Sequence, residues 1–183
     1  MLGTSPLDNL DRDIYIATAS HDEECAGQVI TWVTHASLVP EKRNVVAVFS
    51  KFNHTYKVLS ASGVFALNLP SREQTAVAVR FGLYTGNEIR KFDNPGVKIR
   101  TVADVPVLCE TAGYSVVTVM SQVDLGDRMV VIARVIEEKF FSEVPPLKLS
   151  HFLKSCSEDE VALQRSNYLK MVERDAGLIS DEL

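Results

Sequence analysis

Hydrophobic and polar positions along this chain alternate in short runs more often than they recur at helical spacing. Residues 13–20, 28–34, 44–50, 64–70, 113–123 and 128–138 are rich in Val, Ile, Thr and aromatic side chains, the period and composition of β-strands. The last two runs are joined by Asp124-Leu125-Gly126-Asp127, whose glycine and two aspartates suit the tight connection of an antiparallel hairpin. Within 113–123, Tyr114, Val116, Thr118, Met120 and Gln122 share one face, and Ser115, Val117, Val119, Ser121 and Val123 the other. That pattern predicts a half- to fully buried strand.

Three helices interrupt the strands. Ser71-Arg72-Glu73-Gln74 and Ser157-Glu158-Asp159-Glu160 match the capping box, in which the serine oxygen accepts from the third helical amide and the Glu or Gln reaches back. They predict helices over 72–83 and 158–174. A third, short helix over 54–62 stops at Gly63, a residue that tolerates the left-handed end of a helix. In the last helix Val161, Tyr168, Leu169 and Val172 share a face by 3.6-residue spacing, which docks it on the barrel or on a second subunit. Four strands with short helices among them, then a long hairpin and a terminal helix, predict a mainly β chain, a β-barrel with peripheral helices. Neither GxGxxG nor a GxxxxGKS or GxxxxGKT run is present, which argues against a doubly wound nucleotide fold.

Composition narrows the function classes. At 183 residues and 46% hydrophobic, the chain buries a substantial core and fits a single domain over 1–183. Its 24 acids against 19 bases give a net charge of -5, without the basic stripe that a phosphate backbone requires, so nucleic acid is not an expected partner. No apolar run approaches the roughly 20 residues that cross a bilayer, and residues 1–13 are mixed and acidic. The chain therefore reads as soluble, cytoplasmic and free of membrane. Cys25, Cys109 and Cys156 are widely separated with no His at ligand spacing, so they read as reduced thiols and no metal site is expected. Asp22, Glu23 and Glu24 disfavour a Cys25 thiolate, and Cys109 reads as buried.

The segment around 51–56 is chemically unlike the other helix starts. A helix amino end carries unpaired amides and about half a positive charge, usually offset by Asp or Glu. Asn53-His54-Thr55-Tyr56 offers amide, imidazole, hydroxyl and phenol instead, with Lys51 just before it. Two readings stand: an anion such as phosphate completes the site, or Asn53 simply caps the helix while Lys51 and His54 are solvated. A second stretch, 21–37, runs from a polar turn with Gly27 into an alternating strand. There Thr31, Thr34, Ala36 and Ser37 surround Trp32, so either a planar ring approaches the backbone or Trp32 sits in the core. His35 is read as a strand end or a ring contact, and the 148–154 basic cluster with His151 as solvated surface.

Ordered pieces then accumulate: Ala26-Gly27-Gln28-Val29-Ile30-Thr31-Trp32-Val33-Thr34, Ala36-Ser37-Leu38-Val39-Pro40, strand 45–50 into Lys51-Phe52-Asn53-His54-Thr55, Ser62-Gly63-Val64-Phe65-Ala66-Leu67-Asn68-Leu69, and Pro106-Val107-Leu108. In this order and spacing they resemble the flavin reductase-like FMN-binding family over about 12–141, leaving 142–183 as a C-terminal extension and helix. The resemblance implies a Greek-key-like split barrel, a homodimer, and FMN (or FAD) near the subunit interface. By it, Gln28, Val29, Ile30, Thr31, Trp32, Val33 and Thr34 meet the isoalloxazine ring and ribityl chain, with Ala36 and Ser37 close by. Ser50, Lys51, Asn53, His54, Thr55 and Tyr56 take the phosphate.

The implied activity is an NAD(P)H-dependent flavin reductase or related oxidoreductase, passing electrons to free flavin, oxygen or a redox partner protein. No catalytic acid, base or metal is required of the protein, because the redox chemistry belongs to the flavin. Many reductase members carry Gly-Asp-His at the turn into the last long strand, and this chain has Gly126-Asp127-Arg128. Arg128 reads either as a cation on the nicotinamide side of the flavin or as a hairpin residue facing water. The departure keeps a second role open, a non-enzymatic FMN electron carrier.

Overall fold

The computed structural model describes Pro6, residues 10–86 and residues 88–179; apart from Pro6, the reading of residues 1–9 lies outside them. Its elements are β1 (Tyr15–His21), β2 (Glu24–Ile30), β3 (Val33–His35), β4 (Asn44–Ser50), α1 (His54–Ser62), β5 (Val64–Leu69), α2 (Thr75–Leu83), β6 (Ile99–Val102), β7 (Val105–Leu108), β8 (Gly113–Asp124), β9 (Arg128–Phe140), α3 (Leu149–Ser155) and α4 (Glu158–Asp175). Seven strands form one sheet in the order β2-β1-β5-β8-β9-β4-β3, with β6 and β7 as a separate pair. All pairs are antiparallel.

The two edge strands, β2 and β3, are joined by Thr31 and Trp32 alone. Three Cα steps of about 3.8 Å let these edges stand at most about 11 Å apart at that point. The sheet must therefore curl until its edges nearly meet, leaving a seam. Register shifts in the β8–β9 ladder at Val116/Val117 and Val119/Ser121 are the bulges that bend two such long strands. The result is a split β-barrel, mainly β with peripheral helices.

Strand alternation then sorts the side chains. Ala17, Ala19, Ala47, Phe49, Phe65, Val117 and Val131 fill the concave side with Val58 and Leu59 of α1. Ile14 and Ile16 point the other way, into Phe81 and Leu83 of α2 and Phe152 of α3. Ala66, Tyr114 and Val116 are covered by Val105 and Val107 of β7. Small residues inside and large ones outside let β1 be buried on both faces.

Several expectations need correction. The single strand over 28–34 is two strands broken at Thr31-Trp32, since the chain there crosses the seam. The polar turn is confined to Asp22-Glu23, with Asp22 at φ 52, and residues 24–27 already pair with β1. Gly27 is needed because a Cβ there would lie 2.5 Å from the Phe81 ring. The helix over 72–83 opens with a 3-10 turn, Arg72–Gln74, before α2. The β6–β7 hairpin and α3 were not anticipated: both are short, and β7 reads Val-Pro-Val-Leu without alternation. Trp32 is half exposed, not in the core. The shared face of α4 is not docked on the barrel, for Val161, Tyr168, Leu169 and Val172 are all exposed; Leu163 packs inward and Asn167 donates to the Leu83 carbonyl at 2.9 Å.

The three arms of the core meet at Asn68, which is fully buried. Its Nδ2 donates to Ile16 O at 2.8 Å and to Thr18 Oγ1 at 2.9 Å, while its Oδ1 accepts from the Leu108 amide at 2.8 Å. The Thr18 hydroxyl in turn donates to Pro106 O. One amide thus joins β1, β5 and β7. Replacing Asn68 by Ala strands at least one buried donor, which costs on the order of 3 kcal/mol. Urea unfolding of Asn68→Ala is expected to show that loss, and a change below about 1 kcal/mol would contradict this role.

Candidate functional site

The site grows from the end of β4. After Ser50 the chain bends and enters α1 at Asn53, which sits at the N-cap with extended φ and ψ, yet its side chain makes no capping bond and no acid lies in the first turn. By contrast, Ser157 of α4 caps its helix and is followed by three acids. The amino end of α1 therefore keeps its partial positive charge. Beside it Thr55 is buried, and His54 Nε2 lies 2.9 Å from Glu24 Oε1 on β2. Two other members of the segment turn elsewhere. Tyr56 donates to Gln122 Oε1 on β8, and Lys51 Nζ lies 3.2 Å from both Asp124 oxygens at the β8–β9 turn. The Gly126 amide, then Lys51, hold the Asp124 carboxyl below its ordinary value.

Asn53, His54 and Thr55 open onto a cleft of about 970 Å³ walled by β2, the end of α2, the loop after it and α4. That size is at the upper end for cofactor sites. In a chain of net charge -5 the lining holds five bases (Lys57, Arg90, Lys91, Lys170, Arg174) against three acids (Glu23, Glu24, Asp93). Gln28 lines the cleft too, with its Oε1 buried and without a hydrogen-bond partner among the described residues. A buried carbonyl oxygen is rarely left so unless something else supplies a donor. Lys91 is also buried, its ammonium donating at 2.9 Å to both Gly27 O and Phe81 O. Burial pushes its pKa down to about 8. It pins β2 to α2.

The remaining positions separate. Val29 packs against α2, and Ile30 points into the barrel. Thr31, Trp32, Val33 and Thr34 line a different cleft of about 410 Å³ along the seam, with Tyr15, Val46 and Val48. Ala36 is exposed. Ser37 donates to Lys42 O and accepts from the Asn44 amide, holding the β3–β4 connection. His35 is exposed at the end of β3. Of the cysteines, Cys25 is exposed and Cys109 half-buried where burial was expected; the partial desolvation that remains at Cys25 pushes its thiol up. Lys148 pairs with Asp13 at 2.7 Å. No group of three metal-ligating side chains occurs among the described residues.

Arg128 takes neither position expected of it. Its Nη1 lies 2.6 Å from Asp175 Oδ2 and 3.2 Å from Asp127 Oδ2, so it ties the hairpin turn to the end of α4. The contact is close: a Cβ on Gly126, at φ +93, would meet Leu178 O at 2.1 Å. Asp175 also receives Arg174, with Nε at 2.6 Å from Oδ1. These α4 residues and Lys91 were missed from the sequence. One signal was present, for an acid in the last turn of a helix opposes the macrodipole and calls for a cationic partner.

With the geometry established, comparison with known proteins is informative. The family described as Flavin reductase like domain matches residues 7–153. The NADH:FAD oxidoreductase SgcE6 of Streptomyces globisporus superposes with a TM-score of 0.70 at 17% identity, over 78% of this chain and 84% of that one. An FMN-binding protein of Thermus thermophilus gives 0.67 at 14%, over 77% of each. A Sinorhizobium meliloti protein assigned to the oxidoreductases gives 0.67 at 21%; 76% of this chain covers only 46% of that one. No curated protein matches. At these identities the structures speak for the fold, and all are similar to this chain in that respect.

The Asp175 bridge makes a pH-dependent prediction. Arg174, then Arg128, hold its carboxyl below the usual carboxylate range. A depressed folded-state pKa means stability that is present above the unfolded value and lost as pH falls through the folded one. Asp175→Asn is expected to lower unfolding free energy at pH 7 by about 1.5–3 kcal/mol. As pH falls through the folded-state value of this carboxyl the variant and the parent should converge in urea melts. A gap that persists unchanged into acid would remove the ionic account.

Proposed function

The chain belongs to the flavin reductase-like domain family, and on that premise we propose that it is an FMN-binding flavoprotein acting as an NAD(P)H-dependent flavin reductase or closely related oxidoreductase. The observation that carries this reading is the uncapped, acid-free amino end of α1 opening onto a net-basic cleft in an otherwise acidic chain. A phosphate-bearing ligand meets that need. Asn53 and Thr55 hold the phosphate with the first amides of α1, and Gln28 lines the cleft beside them. When bound, the flavin supplies the redox chemistry, accepting hydride from a reduced nicotinamide and releasing electrons to free flavin, oxygen or a partner protein.

The protein's part is to orient and to exclude water. Thr31, Trp32 and Thr34 remain the proposed ring-side residues, reached across the seam. Homodimerisation is part of the proposal: half-exposed Trp32, exposed Phe140 and the unpartnered face of α4 are large apolar surfaces of the kind a second copy covers. A cytoplasmic setting goes with free thiols at Cys25, Cys109 and Cys156.

The electron-carrier reading draws on Arg128. Locked between Asp127 and Asp175, it does not line the cleft as a nicotinamide-side cation would. The absorption spectrum followed by anaerobic titration separates the two. A reductase bleaches its bound flavin on addition of NADH or NADPH, whereas a carrier bleaches only with dithionite. Protein that takes up no FMN would defeat both.

A site test follows. Replacing Asn53 and Thr55 together by Ala is expected to weaken FMN binding by about 3–6 kcal/mol, since hydrogen bonds to a charged group contribute roughly 1.5–3 kcal/mol each. Unchanged FMN affinity in a folded double variant would contradict the phosphate assignment.

A further inference from the structure

We infer that Arg174, in the C-terminal helix beyond the family-matched residues 7–153, is the cation that binds the flavin phosphate; this rests on the FMN reading above. The phosphate segment by itself lacks a free cation. Lys51, the base expected from the sequence, is held by Asp124, and His54 faces the Glu24 carboxylate. A phosphate at the amino end of α1 would then meet amides and hydroxyls but no unengaged charge from residues 50–56.

Arg174 stands where that charge is required. It lines the cleft with Asn53, His54 and Thr55, and its Nη2 donates to the Ser50 hydroxyl at 3.2 Å. Its guanidinium lies over the Phe52 ring, 4.4 Å from the centroid, so Ser50 and Phe52, on either side of Lys51, both touch it. Asp175 fixes the fork from behind through Nε at 2.6 Å and Nη2 at 3.1 Å, while Nη1 has no partner among the described residues. A guanidinium stacked on one side, braced by a carboxylate along its Nε–Nη2 edge and left with its Nη1 hydrogens is pre-organised to meet a phosphate through Nη1. Asp175 consequently has two tasks: through Arg128 it closes α4 onto the β8–β9 turn, and through Arg174 it aims the cation.

The test compares FMN with riboflavin, which lacks only the phosphate, by fluorescence titration of the full chain. Arg174→Gln is expected to raise the FMN dissociation constant by about ten- to a hundredfold and leave that of riboflavin within about twofold. Arg174→Lys, which keeps the charge without the fork, should fall between, and Lys51→Gln should disturb the ratio less than Arg174→Gln. Equal weakening of both ligands would reduce Arg174 to a docking residue of α4 and overturn the proposal, as would an unchanged FMN constant or an effect carried wholly by Lys51. Because the ratio is taken within each variant, it is independent of overall stability; if Arg174→Gln does not fold by circular dichroism, the Arg174→Lys ratio decides. Wild-type protein that binds neither ligand would instead defeat the FMN reading itself.

Discussion

The fold turns on a buried amide. Asn68 sits where β1, β5 and β7 converge and satisfies all three of the groups it contacts, two as donor and one as acceptor. A polar side chain at the centre of an apolar core is tolerated only with that degree of satisfaction. Its position fixes how the separate β6–β7 pair sits on the convex side of the sheet. The curl brings β2 and β3 together across the two-residue seam, and β2 alongside the start of α1.

The cleft follows from that arrangement and from a second polar centre. β2 passes close against α2 because Gly27 has no side chain, and the Lys91 ammonium, buried beside it, bonds one backbone carbonyl on each element. α4 completes the wall. Its polar edge faces inward, contrary to what its apolar stripe suggested, because Asp175 is shared by Arg128 and Arg174 and Asn167 reaches the end of α2. Two guanidinium groups around one buried carboxylate hold that edge in place, and Val161, Tyr168, Leu169 and Val172 are left exposed. That stripe is left for another surface, while bases gather around a cleft in an otherwise acidic chain.

Which parts were legible depended on whether the signal was local. The capping boxes at Ser71 and Ser157, the stop of α1 at Gly63 and the Asp124–Asp127 turn were all readable, because each is decided by residues within a few positions of one another. β4 and α1 match their predicted bounds for the same reason. β6, β7 and α3 were not readable, being too short for periodicity and stabilised by what they cover. At the site, the unusual first turn of α1 was visible, but not that Lys51 would turn to Asp124 or Tyr56 to Gln122, partners more than sixty residues away.

By itself, then, the sequence determined the strand-rich class, the helix ends, the family resemblance and the anion-friendly start of α1, since these rest on local chemistry and on the order of short motifs. Only the tertiary structure decided that Thr31-Trp32 is a seam rather than mid-strand, that Gln28 and Thr31–Thr34 face different clefts, and that Arg128 is bound to Asp175. It also decided which base of α4 is brought beside α1. The physical reason is that a charge finds its partner through space, and the curl of the sheet, not the spacing along the chain, sets which charges come within reach.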